Sequence, residues 1–421
     1  MLEASNFEES TKRKYLKPIL VLAIYGAIFL FVEHRVNSSI LSGDQVSERL
    51  NATNKIPTTT TGKEPGYEDE SIELDPTDGS AKHSIAIKPK FCSRERIRKG
   101  EWKAVRREKP LYALDEDAWE NKCYQKKQTE KPAIIDSWEW IANENGGDDK
   151  ADCSFAPFEV HRFCQLNSNR TIAFLGDSIS WQQFNSLNYL LGATDEYRTT
   201  ATIKINGVMT GSINNNACSG NTKLLWLRDN RAKVSRLHHI IGLYDPDVIV
   251  LNRGAHYVES SVLRMELNLT LGRALEWQRD CDKRGGERDC LLVWRTTAPG
   301  FPDCENTPGP IGIDRQAMAK DTVSDPSHPW YQTRLNGHKF HWWDFAGQNA
   351  IVEDLFQSRI RQGLRVSFLD FYEMAILRPD LHIGKGDCLH YCLPGPHDAV
   401  NAVLLHEMEV ARSTRKSPFR H

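Results

Sequence analysis

The sequence predicts an α/β fold, a parallel β-sheet with helices on both faces, plus a disulfide-stapled cysteine-rich N-terminal portion. Three observations lead there. From Asn169 onward, short apolar runs suited to buried strands alternate with stretches of helical periodicity, the pattern of repeats that build a parallel sheet. The ten cysteines all lie at or after Cys92, and an even number in a non-cytosolic compartment reads as disulfides. The composition, 40% apolar and 26% charged over 421 residues with 27 Gly and 19 Pro, is that of a globular chain able to bury a sizeable core. Lys and Arg number 54 against 56 Asp and Glu, so the net charge offers no general attraction for nucleic acid.

Taken in order, residues 1–14 read as a cytosolic tail and 15–34 as a transmembrane signal anchor. Lys12, Arg13, Lys14 and Lys17 precede an uncharged run from Pro18 to Val32, closed by Glu33, His34 and Arg35. With Tyr15 and Leu16 included, the run approaches the roughly 17 to 20 residues that span a thin bilayer. The basic flank keeps the N-terminus cytosolic and puts the rest of the chain across the membrane, a single-pass type II topology. A cleaved signal peptide is disfavoured by the lack of a small-x-small site after Val32. An anchor this short suits the Golgi better than the thicker plasma membrane. Glycan acceptors stand at Asn37, Asn51, Asn169 and Asn268. Residues 35–88, rich in Thr, Ser, Glu, Asp and Gly without helical or strand period, read as a disordered luminal stem.

Residues 89–168 combine Cys92, Cys123, Cys153 and Cys164 with Trp102, Tyr112, Trp119, Trp138 and Trp140 but few apolar runs. That texture predicts a loop-rich, disulfide-stapled portion. The remaining cysteines are Cys218, Cys281, Cys290, Cys304, Cys388 and Cys392; none of the ten forms a CxxC pair, so structural zinc is disfavoured. In residues 169–421 the expected strands are Thr171 to Leu175, Leu224 to Leu227, Asp247 to Leu251, Cys290 to Trp294 and Leu364 to Leu369. Helices are expected at about Trp181 to Leu191, Ser261 to Asp280, Gln348 to Arg361 and Ala399 to Arg412. In such sheets, sites collect at the carboxyl ends of the strands.

Three such places carry chemistry. Gly176-Asp177-Ser178 follows the first strand; the glycine permits a tight turn and the serine stands at the start of a helix. Helix capping by Asp177 or Ser178 is the competing explanation. A serine nucleophile needs a base, and Asp387-Cys388-Leu389-His390 offers one in a loop bracketed by Cys388 and Cys392. Asp387 would fix the imidazole tautomer while the other ring nitrogen takes the Ser178 proton. Asn252, after the strand ending at Leu251, is a candidate oxyanion amide or a turn cap. His256 reads as structural or substrate-facing. The aromatic loop with Trp330, Tyr331, His338, His341, Trp342 and Trp343 supplies sugar-stacking candidates, although aromatics at this density also pack loops.

These blocks, in this order, resemble the SGNH/GDSL superfamily of esterases and acyltransferases. The longer string from Asp387 to Pro396 with Asp398 and Asn401, preceded by Leu377-Arg378-Pro379-Asp380-Leu381-His382, resembles the trichome-birefringence-like polysaccharide O-acetyltransferases of the PC-esterase branch. Cys92 with Gly100 and Trp102, then Trp138 and Trp140 before Cys153, resembles the cysteine-rich portion of that group. The likeness spans about Cys92 to Leu405. It implies an SGNH-type sheet, an SGNH-like catalytic domain over residues 169–421, Ser178 as nucleophile, His390 as base, Asp387 as its orienting partner and Asn252 as oxyanion donor. It leaves the glycine oxyanion donor open between Gly207 and Gly211. Where plant members commonly carry Gly-His-Trp, this chain has Gly254-Ala255-His256-Tyr257, a departure that falls on the acceptor contacts.

The expected activity is therefore transfer of an acetyl group to a polysaccharide or glycan hydroxyl through an acetyl-serine. The donor is acetyl-CoA or a carrier derived from it, and neither metal nor redox cofactor is called for. With water as acceptor the same groups make a carbohydrate acetyl esterase. A luminal glycan-binding protein without catalysis is the third reading, opposed by the joint presence of Ser178, Asp387 and His390. Golgi membrane placement follows from the anchor, and no nucleic-acid module is present.

Overall fold

Parallel strands buried on both faces read as unbroken apolar runs, and those runs become the centre of the molecule. In chain order the strands are β1 (Glu101–Arg107), β2 (Ile135–Ile141), β3 (Arg170–Gly176), β4 (Ala201–Ile205), β5 (Val208–Ala217) and β6 (Thr222–Arg228). They continue with β7 (Val248–Leu251), β8 (Leu291–Arg295), β9 (Val366–Leu369), β10 (His382–Gly384) and β11 (Asp387–Tyr391). The computed structural model describes residues 91–107, 111–112, 135–143, 153–192, 201–205, 208–253, 255–256, 259–285, 288–307, 309–333, 337, 339–384 and 386–415. The expected tail, anchor and stem lie outside these residues, as do Cys123 and Gly207. Among the described residues no helix is long and apolar enough to cross a membrane.

Seven strands form one sheet of order β4-β5-β6-β3-β7-β8-β9. From β6 to β9 every pairing is parallel, in the register Ile172 opposite Leu224 and Val248, and Val248 opposite Leu291. The edge made by β4 and β5 is antiparallel. Alternate residues feed two cores. Ile172, Phe174, Val248, Val250 and Val293 pack on one face, while Ala173, Leu175, Ile249, Leu251 and Leu292 pack on the other.

Helices supply the outer layers: α1 (Arg94–Arg98), α2 (Val160–Leu166), α3 (Ser178–Leu190), α4 (Val234–Tyr244), α5 (Ser260–Arg284), α6 (Gln316–Ser324), α7 (Pro329–Thr333), α8 (Phe345–Ile360), α9 (Phe371–Ala375) and α10 (Pro396–Arg415). Each expected strand and helix is present, with ends shifted by a few residues. The antiparallel edge, the β1–β2 pair and α4 are additions. The segment around His390, expected as a loop, is the short strand β11, paired antiparallel with β10.

In the cysteine-rich portion, Cys92–Cys153 and Cys164–Cys218 are disulfides, and two more join Cys281 to Cys290 and Cys304 to Cys388. Cys392 is also disulfide-bonded. The β1–β2 pair docks through its tryptophans: Trp102 Nε1 donates to the Met374 carbonyl at 2.8 Å and Trp140 Nε1 to that of Ile97 at 2.8 Å. Strand β3 is the middle of the sheet, with later strands on either side of it, so its carboxyl end is the topological switch point where ligands enter such folds.

Candidate active site

Ser178 stands at that switch point because of the two residues before it. A Cβ on Gly176 would lie 2.0 Å from Ser180 Oγ, so only glycine lets the strand turn this tightly into α3. Asp177 is the N-cap, extended at φ −84° and ψ −156°, and accepts from the N–H groups of Ile179 at 3.0 Å and Ser180 at 3.4 Å. Its other oxygen accepts from Ala255 N at 2.9 Å, latching the turn after β7 to the start of α3. Capping therefore belongs to Asp177, and the Ser178 hydroxyl is left for another partner.

That partner is His390. Ser178 Oγ lies 2.7 Å from His390 Nε2, and His390 Nδ1 lies 2.9 Å and 3.0 Å from the two oxygens of Asp387. With Nδ1–H donating to the carboxylate, Nε2 is the acceptor for the serine proton. Burial pushes the Asp387 carboxyl up, but the His390 side chain and the backbone N–H groups of His390 and Leu389 outweigh it and hold it below the usual carboxylate range. Ser178, His390 and Asp387 are all half-buried, so the Ser178 hydroxyl is within reach of a ligand from solvent.

Strand β11 is held in place by several ties. Cys388 is disulfide-bonded to Cys304 and its carbonyl accepts from Phe301 N at 3.0 Å. Tyr391 OH donates to the Pro299 carbonyl at 3.0 Å, and Gly386 N donates to the Glu305 carboxylate. All four partners lie on the segment after β8. From the other side, Gln182 on α3 donates to the Tyr391 carbonyl at 2.5 Å and accepts from Tyr391 N at 3.1 Å. One side chain thus clamps both backbone groups of the residue next to His390, from a position one helical turn beyond Ser178.

Asn252 directly follows β7, 1% exposed, and its amide donates to the Arg295 carbonyl at 2.9 Å. It is adjacent to the turn, its Cβ 3.5 Å from where a Gly176 Cβ would be, and its amide has a second hydrogen to give. The Ser178 N–H, at the first position of α3, has no intrahelical acceptor. Gly211 lies inside β5 opposite Leu227, where a Cβ would meet the Trp226 carbonyl at 2.2 Å; close strand approach accounts for it. In the aromatic loop, Trp330, Tyr331 and Trp342 are core residues at 8%, 0% and 2% exposure, so packing is their role, while His338 lies outside the described residues. His256 is half-buried, its ring 4.7 Å from that of Phe340.

Two features escaped the sequence reading. Arg295, fully buried at the end of β8, donates to Ser180 Oγ at 2.9 Å. Burial lowers its pKa to about 10 against the pull of Asp177, leaving it a cation at neutral pH. An arginine closing an apolar run was the available signal. The second is a buried polar seam between α3 and α10. Asp398 accepts from Ser186 Oγ at 2.7 Å, Tyr112 OH at 2.7 Å and Gly395 N at 2.5 Å, and Asn401 donates to Ser186 Oγ at 3.0 Å. Burial pushes Asp398 up to about 6 despite these donors. Asp398, Asn401 and Gly395 stood in the sequence string, but their partners Ser186 and Tyr112 did not.

Comparison with known proteins shows what the chain is similar to. Residues 328–407 match the PC-Esterase family, the GDSL/SGNH-like acyl-esterase family found in Pmr5 and Cas1p; the match contains Asp387 and His390 and begins well after Ser178 in the sequence. The chain is 24% identical over 317 residues to xyloglucan O-acetyltransferase 1 of Arabidopsis thaliana, covering 64% of this chain and 69% of that protein. It is 22% identical over 368 residues to protein trichome birefringence-like 15 of the same plant, covering 76% and 72%. The resemblance drawn from the string around His390 is matched by these findings: residues 328–407 are similar to the PC-Esterase family, and the longer chain is similar to trichome-birefringence-like proteins.

Proposed function

We propose that the protein moves an acetyl group to a hydroxyl of a polysaccharide or glycan through an acetyl-serine on Ser178. The observation that carries this is the Ser178–His390–Asp387 chain of contacts at 2.7 Å and 2.9 Å, made by residues from opposite ends of the domain. His390 Nε2 takes the Ser178 proton as Oγ attacks the donor's acetyl carbon; the bond to the leaving group breaks and that group departs with the proton. An acceptor hydroxyl then attacks the acetyl-serine, gives its proton to Nε2, and leaves as the O-acetyl ester while Ser178 regains its proton. In this reading the Asn252 amide and the Ser178 N–H donate to the developing oxyanion. The acetyl donor is acetyl-CoA or a derived carrier.

Kinship with a xyloglucan O-acetyltransferase supports a sugar-polymer acceptor. The basic flank before residues 18–32 supports a type II anchor with this domain in the Golgi lumen. The half-buried His390, open to water when no acceptor is bound, supports acetyl-ester hydrolysis as a second reading. Purified protein given labelled acetyl donor and a panel of deacetylated polysaccharides separates them. Label on a polymer, abolished in Ser178→Ala, is the expected result; label released only as acetate favours the esterase, and neither product rejects both.

A further inference from the structure

The carboxyl edge of the sheet beside Ser178 carries cations that no described acid answers. Arg228 closes β6 directly opposite Gly176 in the parallel ladder. Its side chain is exposed and makes no hydrogen bond or ion pair among the described residues. The neighbouring Asp229 does not neutralise it, being 5% exposed and turned inward to accept from Arg231 N at 3.0 Å and Lys233 N at 2.7 Å. Lys339, also exposed, holds its ammonium 5.2 Å from the centroid of the Phe340 ring. That ring stands edge-on to His256 at 4.7 Å.

His256 ties the two cations to the site. Its neighbour Ala255 donates N–H to Asp177 Oδ2 at 2.9 Å, Asp177 follows the Gly176 that pairs with Arg228, and the His256 ring meets the Phe340 ring that lies beside Lys339; in keeping with this, burial, Arg228, His390 and Lys339 lower its pKa while Asp177 opposes them. The single acid among them, Asp177, is fully buried and takes three backbone N–H bonds. Next to Arg228 is an aromatic wall: Trp226, on the same face of β6, lies 4.7 Å from Trp181, which follows Ser178 by almost one turn of α3. Both indoles are half-buried. Flat rings beside unanswered cations suit a ligand that is part apolar face and part anion.

We propose that Arg228 and Lys339, grouped around His256, form a subsite for an anionic group held beside Ser178. The anion is the carboxylate of an acidic sugar unit or the phosphate of an acetyl carrier. This deepens the acetyl-transfer reading and rests on it for Ser178 being the reacting group.

Titration calorimetry on the full chain tests it with two matched pairs: trigalacturonate against its methyl ester, and phosphopantetheine against pantetheine. In at least one pair the charged member binds about tenfold more tightly, as two partly solvated charge contacts allow, and added salt erodes the advantage. A response from the sugar pair identifies the carboxylate, and one from the pantetheine pair the phosphate. In Arg228→Gln/Lys339→Gln the advantage falls to about threefold or less, and in Arg228→Lys it largely returns. Lys339→Glu alone, on an exposed position, gives the same sign if the double variant does not fold. No preference for either charged member in the wild type, or a preference that survives in the variants, overturns the subsite. Because binding is read without turnover and also in Ser178→Ala, loss of the anion preference leaves acetyl transfer standing, and loss of acetyl transfer leaves the preference readable.

Discussion

Ser178 and His390 meet at 2.7 Å, yet the fold delivers them differently. The serine is placed locally: a buried strand, a glycine that lets Ser180 close over the turn, and an aspartate that caps the helix and latches the next loop. The histidine sits outside the main sheet on a short strand, secured by a disulfide to Cys304, backbone ties to the segment after β8 and the Gln182 clamp. Backbone geometry near the centre of a sheet is fixed by the core, whereas a late segment must be tied down bond by bond. The catalytic distance should therefore be robust to changes on the serine side that spare the turn, and sensitive to single ties on the histidine side.

The largest effects are expected from the three groups proposed to react. Ser178→Ala and His390→Ala each lower kcat/KM by about a thousandfold or more, and the double variant is scarcely worse, since the groups act as a unit. Asp387→Asn is inhibitory too, through the wrong tautomer. Steady-state kinetics with melting curves in parallel check this; loss of a helix cap costs only about 1 kcal/mol, too little to imitate it.

Next is the Cys304–Cys388 bridge, which closes a separation of 84 residues. Cys304→Ala/Cys388→Ala lowers unfolding free energy by about 2–4 kcal/mol in denaturant titrations and lowers kcat more than it raises KM. An equal change in a Cys281→Ala/Cys290→Ala variant, whose bridge is remote from β11, would erase the contrast between the two sides.

Gln182→Ala sharpens the comparison most finely, because it leaves α3 and removes the clamp on Tyr391, together with a 3.4 Å contact to His397 Nε2. Its kcat falls about 10- to 100-fold with KM nearly unchanged, as for a misplacement of about 1 Å; a change in KM alone would make Gln182 a packing residue.

The smallest effect belongs to the seam that joins α3 to α10. The folded state keeps the Asp398 proton up to about 6, while an unfolded aspartate releases it at about 4. The stability from this group is therefore complete below about pH 4 and is lost as pH rises through about 6, at up to about 1 kcal/mol per pH unit. Asp398→Asn flattens that slope in urea titrations across pH; an unchanged slope would mean that another group carries it.

Much of the fold was legible. Parallel strands such as Ile172–Leu175 announce themselves as unbroken apolar runs because both faces are buried. Strand β5 did not, since its run Thr-Gly-Ser-Ile-Asn-Asn-Asn is polar and holds its place by edge pairing with β6. The β1–β2 pair, charged along most of β1, is likewise visible only through its partner. In the site, the need of a serine for a base paired Gly176-Asp177-Ser178 with Asp387-x-x-His390 in the sequence, and the contacts at 2.7 Å and 2.9 Å agree. Gln182 was illegible because it works through a residue distant in sequence, Tyr391, and Arg295 showed only as an arginine closing an apolar run, without its partner Ser180.

The central claim is that Ser178 carries the acetyl group. The protein is mixed with labelled acetyl donor, quenched during turnover without acceptor, digested and read by peptide mass spectrometry. The account predicts an acetyl ester on the Ser178 hydroxyl, absent from Ser178→Ala and His390→Ala and discharged when a polysaccharide acceptor is added. A wild-type protein that transfers acetyl groups with Ser178 never labelled, or a folded Ser178→Ala that transfers at the wild-type rate, would contradict it.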